Sequence, residues 1–183
     1  MAIEAARKEQ EEKVRQALLS GGWKEVHFRN NMPPVGSFVR EYPISFRCEN
    51  MAAATTNARL DFMISTRGGL VFLEVDEHQH HYGYDARLSC DQKRMGQVLE
   101  ALSIGAGGPE RLPHIFWLRY NPHAWHVDGT CRSVPKAQRE QLLLQWLEDF
   151  ELPGHMGIGY AFYDCDADGA LEVLDNPEYH PQY

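Results

Sequence analysis

Four carboxylates and a run of histidines fall close together in the middle of the chain. Asp61 and Glu74 come first, then the unbroken run Asp76-Glu77-His78-Gln79-His80-His81. Carboxylate oxygens suit hard cations such as Mg²⁺, Mn²⁺ or Ca²⁺. Mg²⁺ typically takes one or two carboxylates and completes its shell with waters and phosphate oxygens. An imidazole beside such an ion can take or give a proton near neutral pH. Together these residues have the parts for metal-assisted hydrolysis of a phosphodiester. His78, His80 and His81 could also ligate zinc, but the acids are numerous and no Cys lies close in sequence, which ranks a hard cation first. For any one histidine taken alone, an exposed loop position is the default.

These residues need a frame, and the clearest one is a hairpin. Arg59 to Ser65 alternates, with Leu60, Phe62 and Ile64 on one face, and Leu70 to Asp76 places Val71, Leu73 and Val75 on one face. Thr66-Arg67-Gly68-Gly69 supplies the turn between them. Side chains alternate along a strand, so Glu74 and Asp76 share the opposite side. A turn at Arg67-Gly68 sets Asp61 across from Glu74, and one at Gly68-Gly69 sets it across from Asp76. Either register gathers the three acids on one face, where opposed Cβ atoms lie about 5 Å apart. Like charges that close destabilise a sheet, and a divalent ion would remove the cost. The competing reading, a solvated polar strand face, explains neither the convergence nor the histidines that follow.

Around the hairpin the periodicity predicts a mixed α/β chain. A helix is expected from Glu4 to Ser20, with Ile3, Val14, Ala17, Leu18 and Leu19 as a partial apolar face, stopped by Gly21-Gly22. Its charge density favours a mostly solvated helix, one that could also pack on the sheet or join two copies into a homodimer. A doubtful short strand spans Trp23 to Phe28, and a strand from Phe38 to Phe46 carries Glu41. After the histidines, a helix from Ser89 to Ser103 buries Met95, Val98, Leu99 and Leu102. A strand from His114 to Tyr120 follows, then a turn region from Trp125 to Ser133 around Asp128-Gly129. Pro135 to Phe150 reads as a helix with Leu142, Leu143, Trp146 and Leu147 on its core face, and Gly159 to Tyr163 with Leu171 to Leu174 as a last hairpin. The order implies one domain over 1–183: an N-terminal helix (1–22), a central mixed sheet (38–121) and a C-terminal helix and hairpin (135–183).

Bulk properties narrow the classes. A chain of 183 residues with 43% hydrophobic and 24% charged side chains can bury one real core. Apolar stretches are short and broken by charge, so no membrane span is expected. Met1 to Lys13 is too charged for a signal peptide, and the expected location is intracellular, in cytoplasm or nucleus. The four cysteines are widely spaced, with no C-x-x-C pair, and read as reduced thiols. A net charge of −8 lowers the prior for a nucleic-acid partner. The charge is uneven, however: the stretch from Arg29 to Arg94 holds many of the arginines, and the acid is concentrated after Asp149.

Asp61, then twelve residues, then Glu74-Val75-Asp76 resembles the acidic core of the PD-(D/E)xK nuclease superfamily, with Asp76 standing where that pattern has a lysine. The longer string Leu73 to His80, with Tyr82, Cys90, Arg94 and then Leu118-Arg119-Tyr120-Asn121-Pro122, resembles homing-type endonucleases of phages and large DNA viruses. Those look related to the very-short-patch mismatch repair endonuclease, where an acid and a histidine replace the lysine. The resemblance covers roughly Glu41 to Asn121. It implies a restriction-endonuclease-like αβββαβ core and DNA cleavage with Mg²⁺ or Mn²⁺. It also implies Asp61, Glu74 and Asp76 as metal ligands, His80 as general acid/base, Gln79 as orienting group and Glu41 as the upstream acid. His123 stands where relatives would be expected to carry Asp. A virus-encoded protein acting in a host cell fits the same resemblance.

Four residues are candidates for substrate contact: Arg87 and Arg94 near the helix after the site, and Arg119 and Asn121 at the end of the next strand. Asn121, which precedes a proline, leans towards holding its loop. The run Asp164-Cys165-Asp166-Ala167-Asp168-Gly169 matches a calcium loop at several positions. It lacks the flanking helices, so an acidic hairpin turn is the better reading. Two functional classes follow beside a low-ranked calcium-responsive protein: a metal-dependent DNA endonuclease, or a catalytically inactive nuclease fold that binds DNA or protein.

Overall fold

The computed structural model describes residues 2–27, 32–45, 57–76, 88–108, 111–150, 156–163 and 172–174. Three helices and nine strands follow in the order α1 (Ala2–Ser20), β1 (Lys24–Glu25), β2 (Ser37–Ser45), β3 (Asn57–Ser65), β4 (Leu70–Val75), α2 (Leu88–Ala106), β5 (Ile115–Tyr120), β6 (Trp125–Val127), β7 (Thr130–Arg132), α3 (Lys136–Glu148), β8 (Met156–Ala161) and β9 (Glu172–Leu174). The fold is mixed α/β, as the periodicity predicts. Seven strands form one sheet in the order β1-β2-β3-β4-β5-β8-β9. Its middle, β4-β5-β8, is parallel, while β2-β3-β4 and β8-β9 run antiparallel. The weak strand at Trp23 shrinks to Lys24–Glu25, parallel to β2.

Every residue of β4 (LVFLEV) and β5 (IFWLRY) is buried. Parallel strands covered on both faces favour such near-continuous apolar runs, and the charged members Glu74 and Arg119 are therefore exceptions that need a reason. The two faces carry separate cores. One packs α1 and α3 on Phe62, Val71, Leu73, Val75, Phe116 and Leu118. The other packs α2, through Met95 and Val98, on Met63, Leu70, Phe72, Ile115 and Trp117. Val14, Ala17 and Leu18 are buried and Glu11 is 4% exposed. The expectation of a mostly solvated α1 is thus corrected: its charged face hides a stripe seated on the sheet.

The β3–β4 turn decides the register. Thr66 N donates to Gly69 O at 2.9 Å, and the Thr66 hydroxyl donates to the same carbonyl and accepts from Gly68 N. Arg67-Gly68 are therefore the turn residues, and the pairs run from Ser65↔Leu70 to Phe62↔Leu73. Gly69 has no substitute here: a Cβ would lie 2.4 Å from His114 O, and its φ is +140°. The region after Pro122 is a second, small hairpin, β6–β7, turning at Asp128-Gly129 with φ +49° and +73°.

Candidate active site

The pairing register lines up one row across the sheet. Arg40↔Phe62 and Tyr42↔Leu60 bracket Glu41 opposite Asp61, and one step beyond the last β3–β4 pair, Phe62↔Leu73, Asp61 falls in line with Glu74. Glu74 pairs with Arg119, and Arg119 with Tyr160. Of the two registers that the turn allowed, Asp61 across from Glu74 is the one formed.

Strand alternation breaks at this row. Glu41 has φ +50°, in the left-handed region that a β strand does not normally visit. Before it, Val39 joins the α2-side core while Arg40 reaches α1, donating to Glu12 at 2.6 Å. After it, Tyr42 and Ile44 both join the α2 side. β3 reverses in step: Leu60 belongs to the α2-side core, whereas Phe62 and Ile64 belong to the other. The expected single face of Leu60, Phe62 and Ile64 is corrected accordingly, because simple parity holds only on one side of Asp61.

At the break, the Asp61 side chain takes over a ladder position. Val75 N donates to Asp61 Oδ2 at 2.9 Å, a bond that a regular antiparallel strand would give to a backbone carbonyl. Asp61 is 5% exposed. Its carboxylate therefore sits in the plane of the sheet between β3 and β4, beside the buried Glu74. These groups lie towards the C-terminal ends of the parallel strands, the usual place for ligand sites in open α/β sheets.

Asp76 is differently engaged. Its Oδ2 accepts from Arg119 Nε, in a buried ion pair, and from the Tyr163 hydroxyl at 2.6 Å. Burial, and then the negative charge of Asp76, push the Tyr163 hydroxyl well above the ordinary tyrosine pKa, so it stays a donor. Arg119, expected to meet phosphate, spends its Nε on Asp76 and is 6% exposed. Asn121 is fully buried: its Nδ2 donates to Phe162 O at 2.9 Å and its Oδ1 accepts from His123 N at 3.0 Å. That is the loop-holding role, fixing the chain where it leaves β5.

Of the remaining expected residues, only Glu41 has a described side chain, and it is not buried in this cluster. Glu41 is half exposed and stands 3.6 Å from Arg59. Gln79, His80 and Arg87 lie outside the described residues, as do His78 and His81 and most of the 164–175 acidic loop. Arg94 is placed on α2 by its backbone alone. Among the described residues no group of three or more His, Cys, Asp or Glu side chains could hold a metal ion. The expected three-acid ligand set is thus not assembled, and Asp76 is the acid committed elsewhere. Asp61 and Glu74 still meet the requirement of a hard cation for one or two protein carboxylates.

Two buried polar groups near the site are not evident from the sequence. Tyr163 gave no signal, since its partner lies 87 positions away. Arg139 did leave one: with Leu143 and Leu147 it forms a stripe at helical spacing, and all three are buried. It donates to the carbonyls of Asn121, His123 and Val134. Comparison of the chain with protein-family models, with curated proteins and with solved structures finds no match. The chemistry must therefore be argued from these side chains.

Proposed function

We propose that the chain is a metal-dependent DNA endonuclease of the homing or mismatch-repair type, working inside a cell. The observation that carries this is the pair of buried carboxylates, Asp61 and Glu74, opposed across two strands where Asp61 replaces a backbone acceptor. Burying two like charges is costly, and a bound cation offsets the cost. Mg²⁺ or Mn²⁺ would be held by Asp61 and Glu74. When bound, the ion polarises a phosphodiester and lowers the pKa of an attacking water. Val75 N fixes the Asp61 carboxylate by its hydrogen bond. Asp76 and Tyr163 fix Arg119 beside Glu74, where its positive charge favours the extra negative charge of a pentavalent phosphate. His80 is assigned proton transfer and Gln79 the orientation of water or phosphate, on their place just after β4 in the chain.

The test is cleavage of supercoiled and linear DNA in Mg²⁺ or Mn²⁺ by the full chain, beside Asp61→Ala and Glu74→Gln. Each substitution is expected to lower the rate by at least about 10²-fold, the scale of losing one electrostatic group at a reacting centre. Calorimetric titration with Mn²⁺ should show binding by the unaltered chain that Asp61→Ala weakens. No cutting of any DNA form, with DNA binding retained, would overturn the enzyme and leave an inactive nuclease fold that binds DNA. The −8 net charge gives that second reading its weight.

A further inference from the structure

By strand alternation Glu74 falls on the α2 side of the sheet. On the other side, at the end of β5, a cleft of about 340 Å³ opens between α1 and the N-terminus of α3. Lys13, Tyr120, His123, Ser133, Lys136 and Arg139 are among its lining residues. Three cations face one carboxylate, Glu140, in a chain whose net charge is −8.

Two features point to an anionic occupant. The first is α3 itself, 13 residues long, whose N-cap is Pro135 with no side-chain cap bond. The leading N–H groups of a helix lack intrahelical partners and favour negative charge. The second is Tyr120, which lines the cleft yet is only 3% exposed. Its hydroxyl makes no hydrogen bond among the described residues. The ring is buried while the hydroxyl opens on the cleft, where a ligand acceptor is the natural completion. Among the described residues the two lysines meet only i,i+4 acids, Lys13 with Glu9 at 2.8 Å and Lys136 with Glu140 at 3.4 Å. Such surface pairs contribute little, and a ligand can displace them.

We infer that this cleft is a binding site for a phosphoryl group. Helix N–H groups, lysine ammoniums and a tyrosine hydroxyl are all donors, which matches an acceptor-only phosphate. The volume reaches the lower end of small-molecule sites, so the phosphoryl group would belong to a larger body such as a nucleotide or a nucleic-acid backbone. The site lies on the face opposite Glu74, and it stands or falls independently of cleavage.

Calorimetric titration of the full chain with inorganic phosphate, in EDTA to exclude divalent ions, tests it. One saturable site is expected. Tyr120→Phe keeps the ring in the core and should weaken binding about tenfold, the scale of one hydrogen bond to a charged group. Lys13→Gln with Lys136→Gln should weaken it by at least about tenfold, while Asp61→Asn should leave it unchanged. Circular dichroism confirms that each variant is folded. Short single-stranded DNA with and without a 5′-phosphate identifies the source. Competition by the phosphorylated strand alone means a terminal monoester, by both strands an internal diester, and by neither a free small phosphate. An unaltered chain with no saturable phosphate binding overturns the site, and so do Tyr120→Phe and double-lysine variants that bind as the parent does.

Discussion

Two arginines are buried near the C-terminal end of β5, on opposite faces of the sheet, and they are neutralised in different ways. Arg119 is 6% exposed and meets a carboxylate, Asp76, itself braced by Tyr163. Arg139 is 4% exposed and meets three backbone carbonyls, with its guanidinium 4.7 Å from the Phe162 ring centroid and 5.9 Å from that of Trp125. A buried charge must be satisfied, but the partner decides what the site means. Carbonyls that already need donors make Arg139 a clamp on the 121–134 loop. A carboxylate partner, itself costly to bury, makes Arg119 part of a charge cluster with Asp61 and Glu74. Only the second arrangement belongs to the proposed active site.

The largest effect should come from breaking the ionic pair. Asp76→Ala leaves the Arg119 guanidinium buried without its carboxylate and removes the acceptor of Tyr163. A loss of about 3–5 kcal/mol is expected in urea unfolding. The double variant Asp76→Leu/Arg119→Met removes both charges and should be the more stable of the two. If Asp76→Ala cost under about 1 kcal/mol, the pair would belong to the solvated surface and the contrast with Arg139 would collapse.

Arg139→Lys sharpens the other half of the comparison. One ammonium cannot span three carbonyls or lie flat on Phe162, so a loss of about 1–3 kcal/mol is expected. The loss should be nearly independent of salt, since among the described residues its hydrogen-bond acceptors are carbonyls and not carboxylates. A salt-dependent loss matching that of Asp76→Ala would show the two arginines to be alike.

How much of this could be read from residue order depends on distance along the chain. The β3–β4 hairpin was legible because turn chemistry and alternation act within a few residues: Thr66-Arg67-Gly68-Gly69 turns where expected. The same local rules gave the stripe of α2 and the mixed sheet. Alternation failed at Asp61, because the reversal depends on Glu41 on a neighbouring strand. The partners of the third acid were hidden for a similar reason. Nothing near Asp76 in sequence indicates that Arg119 and Tyr163 will claim it. Arg139 was the avoidable omission, since a charge on the stripe shared with Leu143 and Leu147 demands a buried partner.

The smallest expected effect lies at alkaline pH and separates the two faces once more. Burial raises the pKa of both Tyr163, beside Asp76, and Tyr120, near Arg139. The unfolded chain loses these protons near pH 10, whereas the folded chain keeps them to higher pH. The folded state then binds more protons, so stability is fully present below about pH 10 and falls as pH rises beyond it. Each tyrosine should contribute a slope of about 1.4 kcal/mol per pH unit there. Tyr163→Phe and Tyr120→Phe should each remove one such slope from urea unfolding measured between pH 9 and about pH 11. They should differ below pH 9. Tyr163→Phe takes a donor from a buried carboxylate and should cost about 1.5–3 kcal/mol. Tyr120→Phe takes away a hydroxyl that makes no hydrogen bond among the described residues and should cost almost nothing. Equal losses at neutral pH would mean that Tyr120 has a partner within the folded chain, and that its hydroxyl is not held ready for a ligand.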